Sequence, residues 1–174
     1  MVDMDKEERG IRLGTTLATL CTLAIFGLAW VVLPRITEFP TIFEDRLAMA
    51  LKANAVIAMV LLVAVGLVSV GRRTSPQDIG GSAAGPPSPR LAIKSAFLQN
   101  TLEQSVLAMT ALLALCAMMA GPWLALVPAA VGLFVVGRVL FYIGYPGGAA
   151  SRAFGMGLTA EQVGLEPYEE ANAG

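Results

Sequence analysis

Long apolar blocks, separated by short charged or proline-bearing segments, organise this chain. The first, GTTLATLCTLAIFGLAWVVLP over residues 14–34, follows the charged DMDKEERGIR and closes at Pro34. Its apolar stretch exceeds a secretory h-region and no small-x-small cleavage site follows, so it reads as a retained helix. The connector RITEFPTIFEDR is interrupted by Pro40. A second block covers residues 47–71, with Lys52 and Asn54 in its first turns, and Lys52 is expected to snorkel to the interface. From Ser105 to Gly137 no charge occurs, a run too long for one crossing at about 1.5 Å per residue. It must fold back, and AGPW at 120–123 supplies the turn, with Gly121 and Pro122 as breakers and Trp123 suited to an interface. The pattern predicts spans at 14–34, 47–71, 92–120 and 122–145.

Between spans two and three, RRTSPQDIGGSAAGPPSP is rich in Gly, Pro and Ser, and the loop over 72–91 reads as a flexible connector. Its glycines lack the Lys-Ser/Thr pair of a phosphate-cradling loop. The expected fold is all-α: an integral membrane four-helix bundle within a single domain, residues 1–159, followed by a polar acidic tail over 160–174.

Composition agrees with this pattern: of 174 residues 56% are hydrophobic and 14% charged, and the mean hydropathy is +0.68. A net charge of −1 points to no nucleic-acid partner. With no histidine, His-based zinc sites, Ser-His triads and His proton relays are excluded. Cys21 and Cys116 both lie in apolar runs and read as packing residues. Of the twelve basic residues, Lys6, Arg9, Arg12, Arg72, Arg73, Arg90, Lys94 and Arg152 fall on one side of a four-span topology. Both termini and the long loop are therefore expected to be cytoplasmic, and the expected setting is a bacterial inner membrane.

The candidate chemistry lies at that cytoplasmic end. Counting from Gly121, Glu103 lies 18 residues before the turn and Arg138 lies 17 after it, so straight helices bring the two to one depth as an expected ion pair. Asn100 falls level with Tyr142, and Arg138, Tyr142 and Tyr145 share one helical face by their i, i+4, i+7 spacing. Intramembrane ionisable groups mark functional sites by default. The same group also fits a purely structural role, fixing helix register or subunit contacts.

LQNTLEQ (98–104) and GRVLFYIGYPGGAASRAFGMGLT (137–159) resemble the membrane-associated proteins in eicosanoid and glutathione metabolism, the MAPEG family, over residues 89–159. The resemblance implies a helical membrane protein that forms a homotrimer and binds glutathione as co-substrate between subunits near the cytoplasmic face. It implies that Asn100 and Glu103, as the family's Asn-x-x-Glu, help hold the tripeptide, together with Arg138 and Tyr145; Tyr142 shares their face. Arg152 falls where the leukotriene synthase branch carries the arginine that stabilises the glutathione thiolate, and a nearby guanidinium does favour the charged form of a thiol. The chain departs from the family pattern in three places. Ala96 stands where an Arg is common, Phe141 where a Tyr is expected, and an acidic tail where a last helix normally follows. Span one is additional, and it is expected to fill the vacant position as a permuted four-helix unit. Two functions fit the resemblance. One is an enzyme that conjugates glutathione to hydrophobic electrophiles or uses it to reduce lipid peroxides. The other is a non-catalytic protein that binds a lipid or other hydrophobic small molecule in the same cleft. A transporter is disfavoured, since neither an internal repeat nor a broken helix is apparent.

Overall fold

A computed structural model describes residues 4–160. Five helices follow in order: α1 (Met4–Ile36), α2 (Phe43–Arg73), α3 (Pro89–Met118), α4 (Leu126–Gly144) and α5 (Ala149–Ala160), with short 3-10 turns at Gly121–Ala125 and Tyr145–Gly147. Four segments are long and apolar enough to cross a membrane: α1, α2, α3, and Gly121–Gly144, which comprises the first 3-10 turn and α4. At about 1.5 Å per residue, helices of 30 to 33 residues overrun a hydrocarbon core of about 30 Å: α1 begins well before its predicted span, at its charged end, whereas α2 and α3 depart from theirs by only a few residues.

The turns lie where the breakers are. Pro34 sits in the last turn of α1, and Pro40 lies in the non-helical connector. Gly121 adopts φ +60, which favours glycine, and donates its N–H to the Pro40 carbonyl at 3.1 Å. Trp123 lies against Trp30 with ring centroids 4.1 Å apart, which ties the end of α1 to this turn. Arg46 closes the C-terminus of α3 by donating to the Met119 carbonyl at 2.7 Å, a cation where the helix dipole is negative. Pro128 is tolerated because it falls in the first turn of α4.

Packing is by small and branched apolar residues. Ala50, Ala53 and Ile57 of α2 meet Leu112 and Cys116 of α3 and Ala130 and Phe134 of α4. Cys116 is a packing residue as expected; Cys21 instead lies exposed on the outer face of α1. Lys52 is exposed, as a side chain reaching for the interface must be.

Between the fourth span and the acidic tail lies a further helix that the pattern of apolar blocks does not predict. Gly148, at φ +95, reverses the chain, and α5 returns antiparallel along α4. Glycines make this approach possible: a Cβ on Gly155 would lie 2.8 Å from the Gly137 carbonyl oxygen, and one on Gly137 would lie 2.9 Å from that of Gly155. A short helix therefore carries Arg152 in its own first turn. Helix α1 runs parallel to α5, with Gly10 against Ala150 and Gly14 against Ala153, and continues past its end to place Phe26 beside Leu133 of α4. The position beside α4 is thus filled jointly, by α5 at one end and by α1 around and beyond it. Residues 161–174, most of the expected acidic tail, lie outside the described residues.

The long loop is more ordered than a flexible connector. Asp78 is buried and its carboxylate accepts both the Ser88 hydroxyl, at 2.6 Å, and the Ser88 N–H, at 2.8 Å, while Ser88 caps α3 by accepting the Leu91 N–H. The Ser88 hydroxyl first, then its amide, holds the Asp78 carboxyl below its ordinary value. A carboxylate with a depressed pKa contributes its full stabilisation above the unfolded value, about 3.9, and loses it as pH falls through the lower folded value. Asp78→Ala is accordingly expected to speed nicking of the 74–88 loop by a broad-specificity protease at neutral pH by roughly tenfold. In the parent protein the same loosening should appear only below about pH 3.9. Unchanged nicking in the variant would show that the carboxylate does not hold the loop.

Candidate functional site

The end of the bundle where α3 begins and α4 ends carries a polar and aromatic cluster. Arg138, buried in α4, donates from Nη1 to Asn100 Oδ1 of α3 at 2.6 Å and from Nη2 to Thr159 Oγ1 of α5. One guanidinium thereby ties three helices together. Its Nε is buried without a partner among the described residues. The guanidinium also sits over the Phe141 ring, 4.7 Å from the centroid.

From Phe141 the contacts continue toward the end of the helix. Phe97 of α3 lies 6.2 Å from Phe141 and 4.8 Å from Tyr142, ring centre to ring centre. Tyr145 meets Phe141 edge-on at 5.6 Å, and the Arg152 guanidinium lies 4.6 Å from the centroid of the Tyr145 ring. Arg152 is half-buried in the first turn of α5, a helix that also places Thr159 beside Arg138. Four of the residues singled out in the sequence, Asn100, Arg138, Tyr145 and Arg152, are thus linked by one unbroken series of contacts through Phe141. Tyr142 joins the series through Phe97.

Glu103 is not part of it. It lies on the exposed side of α3, where it accepts a hydrogen bond from Gln99 at 2.7 Å. Helical phase accounts for the difference from the expected ion pair. The inward stripe of α3 runs through Phe97, Thr101, Gln104, Ser105 and Ala108, and Glu103 lies outside it whatever its depth. Asn100 borders that stripe and takes the place opposite Arg138.

The departures from the family pattern also acquire locations. Phe141 is buried beneath Arg138, where a face-on ring rather than a hydroxyl supports the cation. Lys94 packs against the end of α2, close enough that a Cβ on Gly71 would lie 3.1 Å from Lys94 Cδ. Ala96 is exposed.

Thr159 and Phe97 were not among the candidate residues. The signal for Thr159 is the recurrence of small residues four apart, Ala149, Ala153 and Gly157 on one face and Ser151, Gly155 and Thr159 on the next, which marks a closely packed membrane helix. Phe97 has no sequence signal beyond being one turn from Asn100.

About two turns further along α3, a cavity of about 210 Å³ opens between α1, α3 and α4. The side chains that line it are apolar and include Phe26, Ala108, Leu112, Leu115 and Ala130. Among the described residues no group of His, Cys, Asp and Glu is arranged to hold a metal ion.

No curated protein and no solved structure matches the chain. A family model does match, over residues 47–160, a range that takes in every residue of the cluster and leaves α1 outside. With its apolar helices and its Asn100–Arg138 tie, this multi-pass membrane protein belongs to the MAPEG family.

Proposed function

We propose that the protein binds glutathione at the Asn100–Arg138–Tyr145–Arg152 end of the bundle, and that it conjugates the tripeptide to hydrophobic electrophiles or uses it to reduce lipid peroxides. The observation that carries this reading is the half-buried Arg152 guanidinium held over Tyr145, beside the mouth of the bundle rather than free in solvent. A cation so placed lowers the pKa of a thiol brought next to it, so that the proton leaves to water and the sulfur is present as thiolate. The thiolate lone pair then forms the new S–C bond as the leaving group departs or an epoxide C–O bond opens, the oxygen taking a proton from water. With a peroxide, two glutathiones yield disulfide, alcohol and water.

Arg138 is buried and donates once from each terminal nitrogen, to Asn100 and to Thr159, so its part in this reading is to hold the three helices that present Tyr142, Tyr145 and Arg152. Glu103 and Gln99, outward on α3, are offered to a neighbouring copy, in keeping with a homotrimer that holds glutathione between subunits. The hydrophobic co-substrate arrives through the bilayer, and the apolar cavity beside Phe26 suits its hydrocarbon part.

A second reading, a non-catalytic lipid-binding member of the family, is favoured by Phe141, which offers no hydroxyl beneath the guanidinium, and by the internal commitment of Arg138. Calorimetric titration of detergent-purified protein with glutathione, followed by a conjugation assay with a generic aromatic electrophile, separates them. Saturable heat together with conjugation is the expected result. Binding without conjugation selects the second reading, and absence of binding overturns the proposal.

A further inference from the structure

The helix that lies outside the family match brings a carboxylate to the functional end of the bundle. Glu7, in the first turn of α1, accepts the Ala150 N–H on its Oε2 at 2.9 Å. Its Oε1 would lie 3.2 Å from a Cβ on Gly148, the left-handed residue that reverses the chain into α5. The first N–H groups of any helix lack intrahelical partners and carry the positive end of its dipole, so a carboxylate there both satisfies a donor and complements the field. This cap comes from a different helix, 143 residues away in the chain.

Helix α5 has reason to need it. It has only 12 residues, and both Gly155 and Gly157 fall in its interior. Its other attachments to α1 include close contacts between small residues: a Cβ on Gly10 would lie 2.5 Å from that of Ala150, and one on Gly157 would lie 2.6 Å from that of Ala18, beside an apolar cluster that joins Phe154 and Leu158 to Ala18 and Phe26. Two residues beyond the capped amide is Arg152, over the Tyr145 ring, and between them the Ser151 hydroxyl donates to the Gly144 carbonyl at 2.6 Å. The first turn of α5 is thus held from two sides, by α4 through Ser151 and by α1 through Glu7.

We propose that Glu7 is a positioning residue for Arg152: by fixing the first turn of α5, the additional N-terminal helix sets the guanidinium over Tyr145. The catalytic consequence of this placement rests on the glutathione reading; the placement itself does not.

The test uses the full chain in detergent with two readouts. The first is the rate at which an arginine-selective dicarbonyl modifies Arg152, followed by mass spectrometry with the exposed Arg35 as internal reference. The second is steady-state conjugation of glutathione. Glu7→Ala is expected to raise the Arg152 modification rate at least fivefold and to lower kcat about tenfold, with KM for glutathione within twofold. Glu7→Gln keeps an acceptor oxygen and should retain most of both values. Glu8→Gln, which removes only the exposed pair with Arg12, should change neither. A purely structural role would lower the yield of folded protein and leave the kinetics of the folded fraction unchanged.

Unaltered Arg152 reactivity in Glu7→Ala overturns the proposal; raised reactivity with unchanged turnover in an active protein supports the positioning and overturns its catalytic consequence. If the parent protein does not turn over, the glutathione reading fails, and Arg152 reactivity alone still decides the positioning. If Glu7→Ala does not fold, Glu7→Asp, one methylene short with its charge kept, is read in its place and should give an intermediate rise.

Discussion

Asn100→Leu is expected to cost about 2 kcal/mol of stability in detergent, whereas Glu103→Gln changes it by no more than about 0.5 kcal/mol. The difference follows from where each side chain points. Asn100 accepts a hydrogen bond from the guanidinium of Arg138, which is only 1% exposed, and removing that acceptor leaves a charged donor with no water to turn to. Glu103 is exposed and engages only Gln99, four residues earlier on the same helix. Thr159 does not depend on the arginine for satisfaction, because its hydroxyl also donates to the Met156 carbonyl at 2.8 Å. Arg138→Met in the Asn100→Leu background should therefore add much less than it costs alone, since both partners of the pair are then apolar. Unfolding of the two singles and the double, measured without glutathione, is the test. Strictly additive losses would remove the Asn100–Arg138 coupling, and a Glu103→Gln loss as large as that of Asn100→Leu would restore the ion pair expected from matched depth.

That expectation shows what the sequence could and could not carry. Depth is legible in a membrane hairpin because rise per residue is constant and Gly121, with Pro122, marks the turn. Azimuth is not, because Leu and Ala occupy the lipid-facing and the inward sides of α3 alike, so the pattern that tells inside from outside in a soluble helix is absent. Hence Asn100 and Arg138 were both identified and their partnership was not. The same blindness hid α5: Ala, Ser and Gly read as loop by the habits of soluble proteins, while in a bilayer they are the residues that let Gly155 approach Gly137. Long-range contacts such as Glu7 to Ala150 leave no local trace at all. What remained legible was composition by block. Four long helices lie at the four predicted spans, with the largest displacement at the charged start of α1 and with a 3-10 turn in place of the first residues of the fourth span.

The final expectation concerns Arg152, whose position makes two roles physically available. As a thiolate partner it stabilises a charge on sulfur; as an interfacial cation it merely anchors the end of the bundle to anionic headgroups. Its guanidinium is half-buried and lies over an aromatic ring, 4.6 Å from the centroid, which limits its reach to headgroups and fixes its distance from anything bound beside Tyr145. Arg152→Ala should then leave glutathione affinity within a few fold and lower turnover about 100-fold, equivalent to about 2.7 kcal/mol withdrawn from the chemical step. Arg152→Lys should recover only part of this, because an ammonium supplies a point charge without the planar fork or the same contact with the tyrosine ring. The ultraviolet absorbance of bound glutathione thiolate near neutral pH reports the charge directly. It should fall in Arg152→Ala in step with turnover, since a thiol that is no longer ionised is no longer a competent nucleophile. An undiminished thiolate signal with normal turnover in that variant would assign the arginine to the headgroups and leave the ionisation of the thiol to another group.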